Sequence, residues 1–443
     1  MIKMKKPILR YEALFVTMLF LLTSLSVFAI ANETPPESAD SCYEYFGQTY
    51  YTDEKRGEPE TPGGSLNEQE PTTGWTHEIV DDDGDVGYGV DVDVDSLNCL
   101  HISYSHFSGG GGVKYAKLYP NGTKEIHVVD LIGGRIMTSI AVDQWNRPHI
   151  TYFDWYTKCL KYALLTESGW RIEIVDDWLG NIDSICSPSI IVDSIGRPQI
   201  AYAEPAANSL IYATKRFLAR PVKFGDNFRG AGLGDAKTAG DFIRPTDWVF
   251  ETVQKPLSVQ FYPLPSIAID PRGNKLRIAY FGSLQLRQAV RVGVDNWYLD
   301  IANPDGGLNP ALAVDAEGCS VISYMNGDSI MDDHKLMCAR QDPWEEGWII
   351  ETLDGRFRSG CDSSIIMDEN SLPHVASICF DIGDISYFHM RSPGYWDRER
   401  VGYIGGEVIW GPGMVSIVIK NAHPHIVYRS RTGDVHRLMH AIR

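Results

Sequence analysis

The chain has 443 residues, with 40 basic against 58 acidic side chains, a net charge of −18 and a pI near 5.1. That balance argues against a nucleic-acid partner, which needs a basic face, and is permissive for calcium or for neutral sugars. No C-x-x-C or H-E-x-x-H occurs, so zinc is not indicated.

The first ten residues, MIKMKKPILR, are basic. Residues 13–31 are then almost wholly apolar and end in Ala29-Ile30-Ala31, a small-x-small pattern before Asn32. Residues 1–31 therefore read as a secretory signal, and the expected location is secreted, periplasmic or cell-surface. An uncleaved single-span anchor is the alternative, since the stretch is just long enough to cross a bilayer. Residues 32–73 hold Pro35-Pro36, Pro59, Pro62-Gly63-Gly64 and many glutamates. They read as a flexible acidic linker.

From residue 74 to 443 one sentence repeats, with a period of about 50 residues. Strand a reads SIAVD at 139–143 and ends on Asp95, Asp143, Asp193, Asp270, Asp315 and Asp368, with Lys420 last. Strand b reads LHISY (100–104), PHITY (148–152), PQIAY (198–202), LRIAY (276–280), SVISY (320–324), PHVAS (373–377) and PHIVY (424–428). Strand c reads VKYAK (113–117), LKYAL (160–164), LIYAT (210–214), LMCAR (336–340) and ISYFH (385–389). Strand d begins at Trp75, Lys124, Trp170, Trp248, Trp297, Trp348 and Trp396. Each run is short and alternates, as strands do.

Four short antiparallel strands per unit make a propeller blade. The expected fold is all-β: a seven-bladed β-propeller of four-stranded antiparallel blades. A six-bladed ring with one degenerate copy is the rival. One d strand is spare at the front and one is missing after residues 436–442, so the N-terminal strand completing the last blade closes the ring and removes two open edges. One interval is longer, and 215–247 reads as a Gly-rich surface insertion between c and d of blade 3, without P-loop spacing.

Most of this vocabulary reads as scaffold. Small residues in strand a suit a crowded axis, and Trp and Tyr on outer strands fill the wedge between blades. His101, His149, His374 and His425 share one b-strand position. Equivalent positions lie around a ring rather than together, so these imidazoles are expected to bond the Asp turn or a neighbouring backbone. Among the eight cysteines, Cys159–Cys186 and Cys338–Cys361 each join a c strand to the entry of the next a strand, and both pairs are candidate bridges.

The d-to-a and b-to-c loops emerge on one face and vary from copy to copy, which suits a site. Three features stand out. Asp91, Asp93 and Asp95 alternate on one strand and so share a side; a calcium ion, an arginine such as Arg135 or a wet channel would resolve that charge. Calcium is the one cofactor the pattern suggests. Trp155, Tyr156, Trp178, Tyr262, Tyr403 and Trp410 are loop-face aromatics that could stack on sugars or grip peptides; Arg356 is grouped with them as a ligand contact. Asp154, Glu204 and Asp381 follow their b strands and are candidate catalytic carboxylates. A glycosidase needs two such groups roughly 5–9 Å apart, and Asp154 and Glu204 hold like positions on adjacent blades.

The copies at 139–152 with 160–163, and at 188–202 with 210–213, resemble the repeats of exported bacterial sialidase-like and BNR-like propellers. The resemblance implies the fold and leaves glycosidases, polysaccharide lyases and lectins open. The sialidase Asp-box, Ser-x-Asp-x-Gly-x-x-Trp, is not matched. The leading expectation is a monomeric exported propeller that binds a glycan or protein ligand on its irregular face without catalysis. A glycan-cleaving enzyme with its site near the axis is the alternative, and a structural surface protein the second.

Overall fold

Strand pairing follows the repeat. The structure, a computed structural model, describes residues 74–132, 136–154, 156–177, 187–204, 207–216, 248–257, 264–272, 275–327, 334–342, 347–405 and 413–443, and the backbone of Cys42–Tyr45 and Gln48–Tyr51. Those last two strands pair with each other inside a separate unit, residues 1–66.

Seven four-stranded antiparallel sheets make up the remainder. Blade 1 is Val86–Val94, Leu100–His106, Gly112–Leu118 and Lys124–Asp130, and blade 2 is Thr138–Val142, Pro148–Asp154, Cys159–Thr166 and Gly169–Asp176. Blade 3 is Ser189–Val192, Pro198–Glu204, Ser209–Lys215 and Trp248–Gln254; blade 4 is Ser266–Ile269, Leu276–Gly282, Gln285–Gly293 and Asn296–Asn303. Blade 5 is Leu308–Val314, Ser320–Met325, Leu336–Gln341 and Trp348–Asp354; blade 6 is Ser359–Met367, Pro373–Cys379, Asp384–Ser392 and Tyr395–Tyr403. Blade 7 is Val415–Lys420, His423–Thr432 and Val435–Ile442, completed by Thr76–Asp81 from the front of the ring. Thr76 pairs with Ile442 and Glu78 with His440. The ring therefore closes through the N-terminal strand, and seven blades replace the six-bladed rival.

The a strands pack side by side around the axis. Crowding is only part of the reason for their small residues. Ser139 Oγ accepts the Ile190 amide (3.2 Å), Ser189 that of Ile267 (3.2 Å), Ser266 that of Leu312 (3.0 Å) and Ser364 that of Ile417 (3.3 Å). Each serine thus holds a backbone donor of the next blade that its own sheet cannot pair. Ala311 departs from this pattern, and Ser416 donates to Asp91 instead (2.9 Å).

The Asp-His-Tyr vocabulary forms a buried relay at the opposite end of the b strand. In blade 2, His149 Nε2 lies 3.2 Å from Asp143 and Nδ1 lies 2.6 Å from the Tyr162 hydroxyl. Blade 1 repeats it with Asp95, His101 and Tyr115 at 3.0 and 2.7 Å. A carboxylate can only accept, so the imidazole donates from Nε2 and takes the phenol proton at Nδ1. Burial pushes His149 down to about 4, against the pull of Asp143, and the ring stays neutral. Gln199 substitutes in blade 3, donating to Asp193 at 3.1 Å and accepting from Tyr212. The tryptophan of the next blade meets the same tyrosine edge-on, as Trp170 on Tyr115 (5.2 Å) and Trp248 on Tyr162 (5.4 Å). Such pairs add about 0.5–1.5 kcal/mol beyond area burial. His101, His149 and His374 meet the Asp turn as expected, whereas His425, in the blade with Lys420 in place of the aspartate, bonds His440 (2.8 Å).

Cys338 and Cys361 do not form the expected bridge. Both are separate buried thiols, and Cys361 Sγ instead points to the Arg358 carbonyl. Cys159 is also a free buried thiol; Cys186, Trp155, Trp178, Tyr262, Trp410, Arg135 and nearly all of the 215–247 insertion lie outside the described residues. Among the described residues, no helix is long and apolar enough to cross a membrane.

Candidate functional site

The axis is a cavity of about 410 Å3 lined by the a strands, including Asp91, Asp93, Ser139, Ser189, Ser266, Ser364 and Ser416. The expected carboxylate ladder divides there. Asp91 takes the Ile140 amide (2.9 Å) and the hydroxyls of Ser139 (2.9 Å) and Ser416 (2.9 Å), joining blade 1 to both neighbours. Asp93 takes the amides of Val142 (2.7 Å) and Val94 (2.8 Å). Asp95 belongs to the turn, where it accepts from the Leu97 and Cys99 amides and from His101. Among the described residues, no group of three or more His, Cys, Asp or Glu is placed to hold a metal ion. Burial, against the pull of those amides and with Asp91 and Asp95 adding to it, pushes Asp93 up to about 7. Asp362 behaves alike, reaching about 6 through burial despite amide bonds from Met414 (2.6 Å) and Val415 (2.9 Å).

Further out, at the loop end of five seams, the last residue of one d strand meets the tyrosine of the next b strand, whereas blade 6 has Ser377 in that place. Tyr104 donates to Asp81 (2.7 Å), Tyr152 to Asp130 (2.9 Å) and Tyr202 to Asp176 (2.6 Å). In blade 2 the c-strand Lys161 then bridges Asp130 (3.0 Å) and Asp154 (2.8 Å). Asp154 is buried, and also accepts the amides of Tyr156 (3.0 Å) and Thr157 (3.2 Å). Burial alone would raise its carboxyl, but the Lys161 and Thr157 bonds hold it below the usual carboxylate range. Glu204, one blade on, differs. It is half-buried, and burial first, then the Asp176 carboxylate, push it up. Asp381 is exposed in the b-to-c turn of blade 6.

Two open rings from neighbouring segments flank that turn. Phe357 and Tyr403 are both 45% exposed and Ile382 is 40% exposed. The backbone ties them together: Phe380 N donates to Arg358 O (3.0 Å), Cys379 Sγ to Phe357 O (3.4 Å) and Ile404 N to Gly383 O (2.9 Å). Gly383 has φ +66, and a Cβ there would lie 2.7 Å from the Tyr403 ring. Only glycine lets the ring lie against the turn. Arg358 stacks on Phe357 at 5.0 Å. Arg356, between these loops, is bonded to Asp354 (2.6 Å) and Asp384 (2.8 Å). Tyr156, in the b-to-c loop of blade 2, is 77% exposed. Sequence reasoning named Tyr403, Asp381 and Arg356 but not Phe357; its signal was a bulky apolar residue inside a loop of Gly, Arg and Ser, GRFRSG.

No protein-family model and no curated protein matches the chain. Among solved structures it is similar to selenomethionine-substituted virginiamycin B lyase from Staphylococcus aureus, at 10% identity over 83% of this chain and 99% of that one, TM-score 0.48. It is also similar to SapL1 lectin in complex with alpha methyl fucoside, at 10% identity over 72% and 97%, TM-score 0.45. Trypanosoma rangeli sialidase matches at 10% identity over 81% of this chain and 55% of that one, TM-score 0.40. The seven blades are counted from the chain's own sheets, and at these scores the likenesses say nothing of its role.

Proposed function

We propose that this is an exported, non-enzymatic propeller that binds a glycan on its loop face, with the loop end of blade 6 as the principal contact. The observation that carries the reading is the pair of open rings, Phe357 and Tyr403, flanking a turn that presents Asp381. Flat apolar faces beside hydrogen-bonding groups suit a sugar, which has C–H faces and hydroxyl edges. The axial carboxylates support binding rather than cleavage, because their oxygens are engaged by serines and amides of neighbouring blades. The basic and apolar start of the chain supports export.

Glu204 favours a second reading. Its raised carboxyl, one blade on from the depressed Asp154, is the division of roles that glycan cleavage uses. Against this stands the burial of Asp154 under Lys161.

Calorimetric titration of the full chain with neutral and acidic oligosaccharides tests both. Phe357→Ala and Tyr403→Ala are each expected to weaken binding about tenfold, the equivalent of 1.4 kcal/mol. Unchanged affinity in both variants would contradict the binding reading. Shortened oligosaccharides that disappear with Glu204→Gln would establish the second.

A further inference from the structure

Behind the aromatic turn, three arginines from two stretches of the chain converge on one carboxylate. Asp384 is 3% exposed. Arg356 Nη1 lies 2.8 Å from its Oδ2, Arg398 Nη2 2.9 Å from the same oxygen, and Arg400 Nε 2.5 Å from Oδ1. Arg356 also pairs with Asp354 at 2.6 Å, and the Ser386 hydroxyl accepts from Arg356 (2.9 Å) and Arg398 (3.1 Å). Three guanidiniums therefore share two carboxylates, leaving one positive charge in excess. The corresponding seam of blade 2 has the opposite balance, with Lys161 between Asp130 and Asp154.

A local feature of the strand gathers these groups. In blade 6, Asp384 pairs with Tyr403 and Ser386 with Arg400, and the register shifts between Ile385 and Ser386. The extra residue of this bulge, Val401, turns Tyr403 and Arg400 to the same side of the sheet, the side of Asp384 and Ser386. Arg398, opposite Phe388, joins them. Tyr403 and Arg400 are about 10 Å apart along the strand, close enough to meet one oligosaccharide. Arg398 and Arg400 keep 41% and 46% of their side-chain surface open.

We infer that this seam between blades 5 and 6 is a subsite for an anionic substituent of the glycan, a carboxylate or a sulfate ester, held by Arg398 and Arg400 while a sugar ring rests on Tyr403. The inference builds on the glycan-binding reading of the aromatic turn. A guanidinium presents five donors in a rigid fork that matches planar or tetrahedral oxyanions. Asp384 holds the forks in place before the ligand arrives, which lowers the ordering cost of binding. An excess cation in a chain of net charge −18 also draws an acidic ligand to this one edge.

The test titrates the full chain with an oligogalacturonate, a heparin-derived oligosaccharide and a neutral cello-oligosaccharide of equal length. Wild type, Arg398→Ala/Arg400→Ala, Arg398→Lys/Arg400→Lys and Tyr403→Ala are compared. One of the acidic ligands is expected to bind wild type at least tenfold more tightly than the neutral one, with an advantage that shrinks as salt rises. The preference between uronate and sulfate ester identifies the group. The double alanine chain should lose that advantage and keep its affinity for the neutral ligand. The double lysine chain, which still neutralises Asp384 and so guards against a folding defect, should lose it severalfold. Equal binding of acidic and neutral ligands by wild type, or an acidic preference unchanged in both double variants, would overturn the inference. Failure of the aromatic reading looks different: Tyr403→Ala would then leave every ligand unaffected while the arginine variants still discriminate.

Discussion

Blades 2 and 6 are the same scaffold at one end and different molecules at the other. At the turn end, both carry an aspartate, a histidine and a tyrosine in register: Asp143, His149 and Tyr162 in blade 2, Asp368, His374 and Tyr387 in blade 6. At the loop end, blade 2 closes over Asp154 and Lys161, whereas blade 6 opens two aromatic rings above an arginine-rich seam. The position that repeats holds the ring together, and the position that varies carries the proposed site. A lysine largely buried between two carboxylates has no net positive charge and little open surface to offer a ligand; two half-open guanidiniums and two open rings have.

The sharpest way to break the comparison is at the seams themselves. Lys161→Met leaves Asp130 and Asp154 facing each other without a cation, and should cost about 3–5 kcal/mol. Arg398→Met leaves Asp384 with Arg356 and Arg400, and should cost less than half as much. Denaturant unfolding of the two chains reads the difference, and equal losses would show that the seams are not distinct.

At the turn ends the two blades should respond alike in kind. The His149 side chain is 1% exposed, that of His374 14%. His149→Ala strands Asp143 and the Tyr162 hydroxyl in the interior and should cost about 2–3 kcal/mol, with His374→Ala about half that. A His149→Ala chain as stable as wild type would remove the relay from the account.

The blades also differ in the sign of their pH dependence. The Asp154 carboxyl sits below its unfolded value, so its contribution is present above that value and is lost as pH falls through the folded one. Asp362 is raised to about 6. The folded chain holds that proton more tightly than the unfolded chain, so stability drains away as pH rises from about 4 towards 6. Asp362→Asn keeps an acceptor for Met414 and Val415 and should remove that decline. The expected gain near pH 7 is on the order of 2 kcal/mol relative to wild type, read from melting curves across pH.

The smallest expected effect sharpens the site. Gly383→Ala strains a positive φ and drives a methyl into the Tyr403 ring. It should cost about 1 kcal/mol of stability and weaken glycan binding as Tyr403 is displaced. Intact binding would mean that the ring's seat on the turn is unimportant.

What the sequence made legible was whatever recurred. The blade count, the closing strand and the structural histidines follow from copies of one unit, because a recurring residue answers to a recurring neighbour. The inner serines were legible as small residues but not as acceptors. Ser rather than Ala or Gly in most copies was the signal, and Asp91 in that slot marks the same amide-accepting role. The same slot explains why Asp91, Asp93 and Asp95 do not act together: the first two answer the next blade, the third its own turn. Arg398 and Arg400 alternate within the d strand YWDRERVGY and look like an ordinary solvated edge. Only the bulge at Val401 reveals that they share a side with Asp384 and Tyr403, and bulge position is a property of pairing between strands.

The most direct test is a crystal structure of the protein with the tightest-binding oligosaccharide of the panel. A sugar ring stacked on Tyr403 or Phe357 at the loop end of blade 6 is the predicted result. A ligand seated in the axial cavity beside Asp91 and Ser139, beside Glu204, or on the turn face would contradict it.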